Sequence, residues 1–304
     1  DLFFTGNQVS NKLYLNQGNL RFKDITEEAG LESKGWSSGV SMVDINTDGW
    51  LDIYVSRSGH LDPEQRKNLL YINQGDGTFE EMAQEYGLAD SSYSTQSAFL
   101  DYDKDGDLDM YLLNHMHQMT GMNNPVPRKL NGESESNDKL YRNDGVGPLG
   151  HPVFTDVSDE AGITIEGFGL GVGISDLNQD GYPDIYVSND FISNDILYIN
   201  QGDGTFKDRS KEFLSHQSHN GMGNDIADIN NDGLTDILVL DMLPSDNRRR
   251  KLMLNKPNYN LFEFSKSLGY QPQYMRNTFQ LNNGKHAPFS EVGQLMGISS
   301  TDWS

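Results

Sequence analysis

Four times along its 304 residues the chain repeats one nine-residue pattern, Asp-x-[Asp/Asn]-x-Asp-Gly-x-x-Asp, at 44–52, 101–109, 176–184 and 228–236. This repeat constrains the fold more than any average over the composition. Each copy crowds at least three carboxylates into a turn, with a glycine at position 6 that permits a sharp bend. The first aspartates recur after 57, 75 and 52 residues, the spacing of a supersecondary unit repeated with insertions. Small residues such as Gly171-Val172-Gly173-Ile174-Ser175 precede each copy, and a β-rich run such as Ile185-Tyr186-Val187-Ser188 follows it.

A second signature alternates with the first: a short strand ending in Asn. It reads Leu13-Tyr14-Leu15-Asn16, Leu70-Tyr71-Ile72-Asn73, Leu140-Tyr141-Arg142-Asn143, Leu197-Tyr198-Ile199-Asn200 and, degenerately, Phe279-Gln280-Leu281-Asn282. The turn Gln-Gly-Asp-Gly-Thr-Phe follows at 74–79 and 201–206, a hairpin signal because Gly and Asp tolerate positive φ. One unit therefore has four strands, near 39–44, 51–56, 68–73 and from 78–79 onward. No sustained 3.6-residue period appears, although 243–270 has room for a short helix. The expected class is all-β. A four-stranded meander cannot bury both faces alone, so copies stack around an axis as β-propeller blades, with the small-residue strand innermost. Whole blades are expected at roughly 37–82, 94–157, 169–209 and 221–292. Residues 1–26 read as the last three strands of an earlier blade, and 301–304 as the start of a later one, which implies a longer native protein.

Calcium takes six to eight hard oxygen ligands, and aspartates on a tight turn supply them compactly. The side-chain sets are Asp44, Asn46, Asp48 and Asp52; Asp101, Asp103, Asp105 and Asp109; Asp176, Asn178, Asp180 and Asp184; and Asp228, Asn230, Asp232 and Asp236. Position 7 offers the carbonyls of Trp50, Asp107, Tyr182 and Leu234. An EF-hand loop begins the same way but needs Glu at position 12; here that place holds Val55, Leu112, Val187 or Val239, inside a strand. Plain polar turns would account for one copy, but four in register call for a cation, and about four Ca²⁺ are expected. Fourteen of the 45 acids sit in these loops, so four bound ions would bring the formal charge from −22 to −14.

That net charge argues against nucleic acid as a partner. No apolar run approaches the length of a membrane helix. The absence of cysteine excludes disulfides, thiol catalysis and thiolate metal sites. Weak Asp-loop calcium sites suit an extracellular, cell-surface or periplasmic setting, and the lack of any Asn-x-Ser/Thr sequon points toward a bacterial source.

These motifs resemble the FG-GAP/VCBS repeat of integrin α-type propellers. Phe22-Lys23-Asp24-Ile25-Thr26-Glu27-Glu28-Ala29-Gly30 and Phe154-Thr155-Asp156-Val157-Ser158-Asp159-Glu160-Ala161-Gly162 are more particularly similar to the cartilage-acidic-protein/UnbV-type branch. The literal Phe-Gly…Gly-Ala-Pro string is absent; Gly35-Trp36-Ser37-Ser38-Gly39 and Gly167-Phe168-Gly169-Leu170-Gly171 take its place, so integrin-style ligands do not transfer. The resemblance implies a seven-bladed, calcium-stabilised propeller for adhesion or ligand binding, secreted or at a bacterial surface, without a common catalytic set.

Meander geometry sends the insertions 114–137 and 241–276 to the end opposite the Asp loops, and a glycan or protein ligand is expected there. The candidate contacts are Arg248, Arg249 and Arg250, with Tyr259, Phe262, Phe264, Tyr270 and Tyr274 nearby, and the innermost-strand starts Ser37, Gln96, His219, Asn220 and Trp303. The plainer account is that the aromatics pack the insertion down while the basic run stays solvated. His115 and His117 form a His-x-His pair without an evident third ligand. No nucleophile elbow, Walker loop, dinucleotide fingerprint or zinc-helix motif occurs. A non-catalytic binding propeller is therefore favoured, with a polysaccharide lyase or hydrolase on a calcium propeller as the alternative. A cluster of His, Arg or Tyr around an axial carboxylate would mark the latter.

Overall fold

The computed structural model describes residues 1–115, 125–253 and 259–301. The chain forms two compact units, Asp1–Phe99 with Gly106–His117 and Lys139–Val157, and Leu100–Asp105 with Gln118–Asp138 and Ser158–Ser304.

The first unit carries three antiparallel sheets. Strands β1 (Leu2–Phe4), β2 (Lys12–Asn16) and β3 (Phe22–Asp24) make a three-stranded sheet. The strands β4 (Ser37–Val43), β5 (Asp52–Arg57), β6 (Leu69–Asn73) and β7 (Phe79–Glu81) form a meander in sequence order. So do β8 (Ser94–Leu100), β9 (Asp109–Asn114), β10 (Lys139–Val146) and β11 (Pro152–Asp156). The amide of Asn16 donates to Asp1 Oδ1 at 2.8 Å, the same bond that Asn73 makes to Asp52.

The second unit holds β12 (Gly169–Ser175), β13 (Asp184–Asn189), β14 (Ile196–Asn200) and β15 (Phe206–Asp208) in one meander. After β16 (Gln217–Ser218) come β17 (Gly223–Ala227), β18 (Asp236–Leu240), β20 (Thr278–Leu281) and β21 (Ser290–Glu291) in another. The insertion between β18 and β20 returns through β19 (Gln273–Tyr274), which pairs in parallel with β16.

Strand composition follows from burial on both faces. In β5 every residue of Asp-Ile-Tyr-Val-Ser-Arg is buried. With a side-chain period of two, Ile53 and Val55 join Leu13, Ala29, Leu31 and Tyr71 in one core, whereas Tyr54 joins Met110, Leu112, Tyr141 and Phe154 in the next. In the second unit Leu177, Tyr186, Leu197, Ile237, Val239 and Phe289 make the equivalent core. Each such side chain contributes roughly 1.5–3 kcal/mol of apolar burial.

The small residues of the first strands are required by close approach. A Cβ on Gly39 would lie 2.3 Å from the Thr95 carbonyl, and one on Gly173 would lie 2.3 Å from Ile226 Cδ1. Ser41 Oγ bonds the Ser97 carbonyl at 2.7 Å across neighbouring first strands.

The all-β reading holds, with single helical turns at α1 (Ala83–Tyr86), α2 (Ser158–Ala161) and α3 (Ser210–Phe213). They are too short to carry a 3.6-residue pattern. The expected helix in 243–270 is two, α4 (Asn247–Leu252) and α5 (Tyr259–Ser267). Among the described residues no helix is long and apolar enough to cross a membrane.

Candidate functional site

All four Asp loops share one backbone. Position 4 is left-handed despite carrying a side chain, in Thr47, Lys104, Gln179 and Asn231 (φ 57–63°), and position 6 is a left-handed Gly49, Gly106, Gly181 or Gly233. A non-glycine residue in that region is uncommon. It recurs here at one register in all four loops.

In the first, third and fourth loops the amides face the carboxylates. Asp44 accepts from Asp48 N (3.0 Å) and Gly49 N (2.9 Å), Asp176 from Asp180 N (3.0 Å) and Gly181 N (2.8 Å), and Asp228 from Asp232 N (3.1 Å) and Gly233 N (2.9 Å). Asn46, Asn178 and Asn230 each accept from the position-5 amide and donate to the position-5 carboxylate. The amides of Trp50, Tyr182 and Leu234 in turn bond Asp48, Asp180 and Asp232. The oxygens are therefore already turned inward, and each keeps lone-pair capacity for a cation.

The second loop is the most acidic, with Asp103 where the others have Asn, and with Asp107 added. Ligand oxygens of Asp101, Asp103 and Asp109 all lie within 4.8 Å of one another. Asp101 Oδ1 is buried and has no hydrogen-bond partner among the described residues. Burial, then Asp105 and Asp101, raise the Asp103 carboxyl above its ordinary value. Three oxygens at mutual ligand spacing fit a divalent cation with a preference for hard oxygen ligands.

The closing aspartates do more than line a site. Asp52, Asp109, Asp184 and Asp236 are all buried. Their Oδ1 atoms accept from Asn73, Asn143, Asn200 and Asn282 N at 2.8–2.9 Å. In three of the loops Oδ2 accepts from position 2, namely Ile45, Leu177 and Ile229 N. One carboxylate thus ties the ends of three strands. Burial, with Asp48 and Asp44 nearby, pushes Asp52 up to about 6; burial, with Asp180 and Asp176, pushes Asp184 up to about 7. A bound cation would reverse that trend by favouring the ionised form.

Two sets of residues escaped the sequence reading of the site. The Asn that ends each third strand is a clasp. Its Oδ1 accepts from Gly75, Gly145, Gly202 or Gly284 N. Its Nδ2 donates to the carbonyl at loop position 8, Leu51, Leu108, Pro183 or Thr235. Asn200 Nδ2 also reaches Tyr102 O (2.8 Å), and Asn282 Nδ2 reaches Leu177 O (2.9 Å); each grips position 2 of the loop before its own. The second set is the Asn or Asp just before the third strand. Asn11, Asn68, Asp195 and Asn277 accept from Gly6, Arg57, Asn189 and Asp241 N. Its signal was legible, because an Asn or Asp always stands two residues before the Leu or Phe of the strand signature.

The candidate ligand residues fall into distinct settings. Arg248, Arg249 and Arg250 are exposed on α4, which Asp246 caps (Arg249 N to Oδ1, 2.8 Å), and Arg250 Nε bonds the Pro244 carbonyl. Asn220 is buried, and its amide group bonds Asp190 and the His219 ring, so its side chain is spent on the fold. Asp241 Oδ2 holds the amides of both His219 and Asn220 at 3.1 Å. Ser37 is buried, Gln96 is exposed, and the amide of His115 bonds the Tyr93 carbonyl. Trp303 and His117 lie outside the described residues.

The two insertions meet within the second unit: Tyr270 is buried and its hydroxyl donates to Val126 O at 2.9 Å. Tyr259, Phe264 and Tyr274 are exposed; Tyr274 stacks on Phe262 at 6.0 Å, and the Arg276 guanidinium lies 5.4 Å from its ring centroid.

One cluster has the composition that would mark an enzyme. Glu291 Oε2 lies 3.0 Å from both His216 Nε2 and Arg276 Nη2, beside Tyr274. However, Glu291 sits on β21, the outermost strand of its sheet, and its other oxygen accepts from Gly293 and Phe279 N. Glu81 occupies the same place on β7 and bonds Leu70 and Ala83 N. The carboxylate is the repeat's structural one, which His216 and Arg276 merely satisfy.

A family model described as an FG-GAP-like repeat matches residues 1–55, 61–112 and 176–239. Cartilage acidic protein 1 of Homo sapiens is 24% identical over 212 residues, covering 57% of this chain and 31% of that protein. Its Mus musculus counterpart is 24% identical over the same length, covering 57% and 32%. The chain therefore spans about a third of the length of the curated relatives it matches. Among solved structures, an Agrocybe aegerita lectin described for recognition of non-reducing terminal N-acetylglucosamine aligns over 95% of this chain and 76% of its own, at 15% identity and a TM-score of 0.34. A Bacillus licheniformis rhamnogalacturonan lyase aligns over 66% and 39%, at 18% identity and a TM-score of 0.35.

Proposed function

The chain belongs to the FG-GAP-like repeat family, and from that premise we propose that it is a calcium-stabilised binding or adhesion propeller acting outside the cytoplasm on a glycan or protein ligand. The observation that carries the calcium reading is the second loop, where Asp101, Asp103 and Asp109 present oxygens at ligand spacing. The shared left-handed positions extend it to the other three. Positions 1, 3, 5 and 9 and the position-7 carbonyl would hold each ion. When bound, calcium supplies the charge that lets these carboxylates stay ionised side by side.

The ligand surface is the insertion end, where the exposed Tyr259, Phe264 and Tyr274 and the α4 arginines combine ring faces with positive charge. Such a surface stacks on sugar rings and pairs with carboxylates. Further blades or domains of the same polypeptide would complete the scaffold.

A glycan and protein binding array, run with millimolar calcium and with EDTA, tests this reading. A ligand retained in calcium and lost with Arg248, Arg249 and Arg250 changed to Ser, at unchanged thermal unfolding, is the expected result. Turnover of an acidic polysaccharide, or binding indifferent to the triple change, would overturn it.

A further inference from the structure

A cavity of about 270 Å³ opens at the loop end of the second unit, between the third Asp loop and the turn that joins β20 to β21. Its apolar lining is Phe213, Pro288 and Ile199. Its charged and basic lining is Arg209, Glu212, Lys285 and His286. Arg209 pairs with Glu212 through Nη2 and lies over the Phe213 ring, 5.4 Å from its centroid, yet its buried Nε has no hydrogen-bond partner among the described residues. Lys285 and His286 are exposed, and no ion pair or hydrogen bond of either side chain occurs among the described residues. In a chain of net charge −22, three basic side chains and three apolar ones line this one cavity.

We propose that this cavity binds a carboxylated sugar ring, its carboxylate on Arg209, Lys285 and His286 and its apolar face on Phe213 and Pro288. The guanidinium and ammonium groups supply charge-assisted donors. The volume lies just below the usual range of small-molecule sites, so a single ring is the appropriate size. The cavity lies at the end of the blade opposite the insertions. It is therefore a second site, and it stands or falls separately from the insertion surface.

Calorimetric titration of the whole chain in calcium buffer with sodium galacturonate, and with galactose as its neutral counterpart, tests the assignment. Galacturonate is expected to bind saturably and galactose at least tenfold more weakly. Changing Lys285 and His286 together to Ser should weaken galacturonate at least tenfold, and both positions are exposed enough to leave the melting temperature in place. No heat with galacturonate, equal binding of galactose, or an unaffected double variant would each overturn the proposal. Inorganic phosphate displacing galacturonate at equal concentration would overturn the sugar assignment.

Discussion

Replacing Asn200 by Ala tests whether the Asn clasp holds neighbouring blades together. The buried amide group of Asn200 donates to Tyr102 O at 2.8 Å and Pro183 O at 3.3 Å, and accepts from Gly202 N at 2.9 Å. Alanine leaves two carbonyls and one N–H without these partners. Each lost bond costs about 0.5–1.5 kcal/mol net, and more where the orphaned group stays dry, so the total is about 3 kcal/mol. At roughly 2–4 °C per kcal/mol for a domain of this size, the melting temperature should fall by about 6–12 °C. Asn73 provides the control. It is only half-buried, and its side chain bonds Leu51 O and Gly75 N within its own blade; Asn73→Ala should cost about 1 kcal/mol and 2–4 °C. Asn200→Asp keeps the acceptor but turns a second oxygen toward two carbonyls, and should be at least as damaging as Ala. Circular dichroism melts in calcium buffer read all three. Asn200→Ala melting no lower than Asn73→Ala would show that the bond to Tyr102 contributes nothing.

The remaining expectations concern metal and protons. Excess EDTA should lower the melting temperature relative to millimolar calcium, since a ligand of the native state stabilises in proportion to its occupancy; superimposable melts would remove calcium from the account. Asp103→Asn should weaken calcium at the second loop, seen as loss of the tightest step in a calorimetric titration. Asp195 is fully buried, and burial pushes its carboxyl up to about 7 although Asn189 N and the Tyr186 hydroxyl donate to it. A raised carboxyl pKa means that its stabilising protonated form is present below about 4 and is lost as pH rises through about 7. Asp195→Asn, the residue that the blades of Asn11, Asn68 and Asn277 use there, should therefore raise stability at pH 8 by on the order of 1–3 kcal/mol and do little at pH 4. Equal effects at both values would refute the assignment.

The blade repeat and the metal loop were legible in the sequence because both are local. Nine consecutive residues carry the ligand set, and a glycine at position 6 announces the turn. Strand ends came within about two residues, since the period-two pattern of Ile53, Tyr54 and Val55 marks burial but not where pairing stops. Helical turns such as α1 were hidden, because four residues cannot display a 3.6-residue pattern. The bond from Asn200 to Tyr102 joins residues 98 apart, and no spacing rule connects such pairs. Asn220 read as an axial ligand group because its type is polar, but whether an amide faces solvent or Asp190 depends on packing that one sequence does not display.

The Asn or Asp before each third strand has a consequence for how such a chain can be rebuilt. Its bond to an amide at or just past the end of the preceding strand closes gaps of 5, 6, 11 and 36 residues with lengths of 2.7–2.9 Å throughout. Lengthening a closed loop from 5 to 36 residues costs only about 1.7 kcal/mol of chain entropy. The junction is accordingly a socket: its rim is standard, and its contents are exchangeable. A foreign segment grafted between Asp241 and Asn277, or between Asn189 and Asp195, would meet the same closing bond whatever its length. The scaffold could thus display new loops at that end while the Asp turns at the other end continue to hold the sheets.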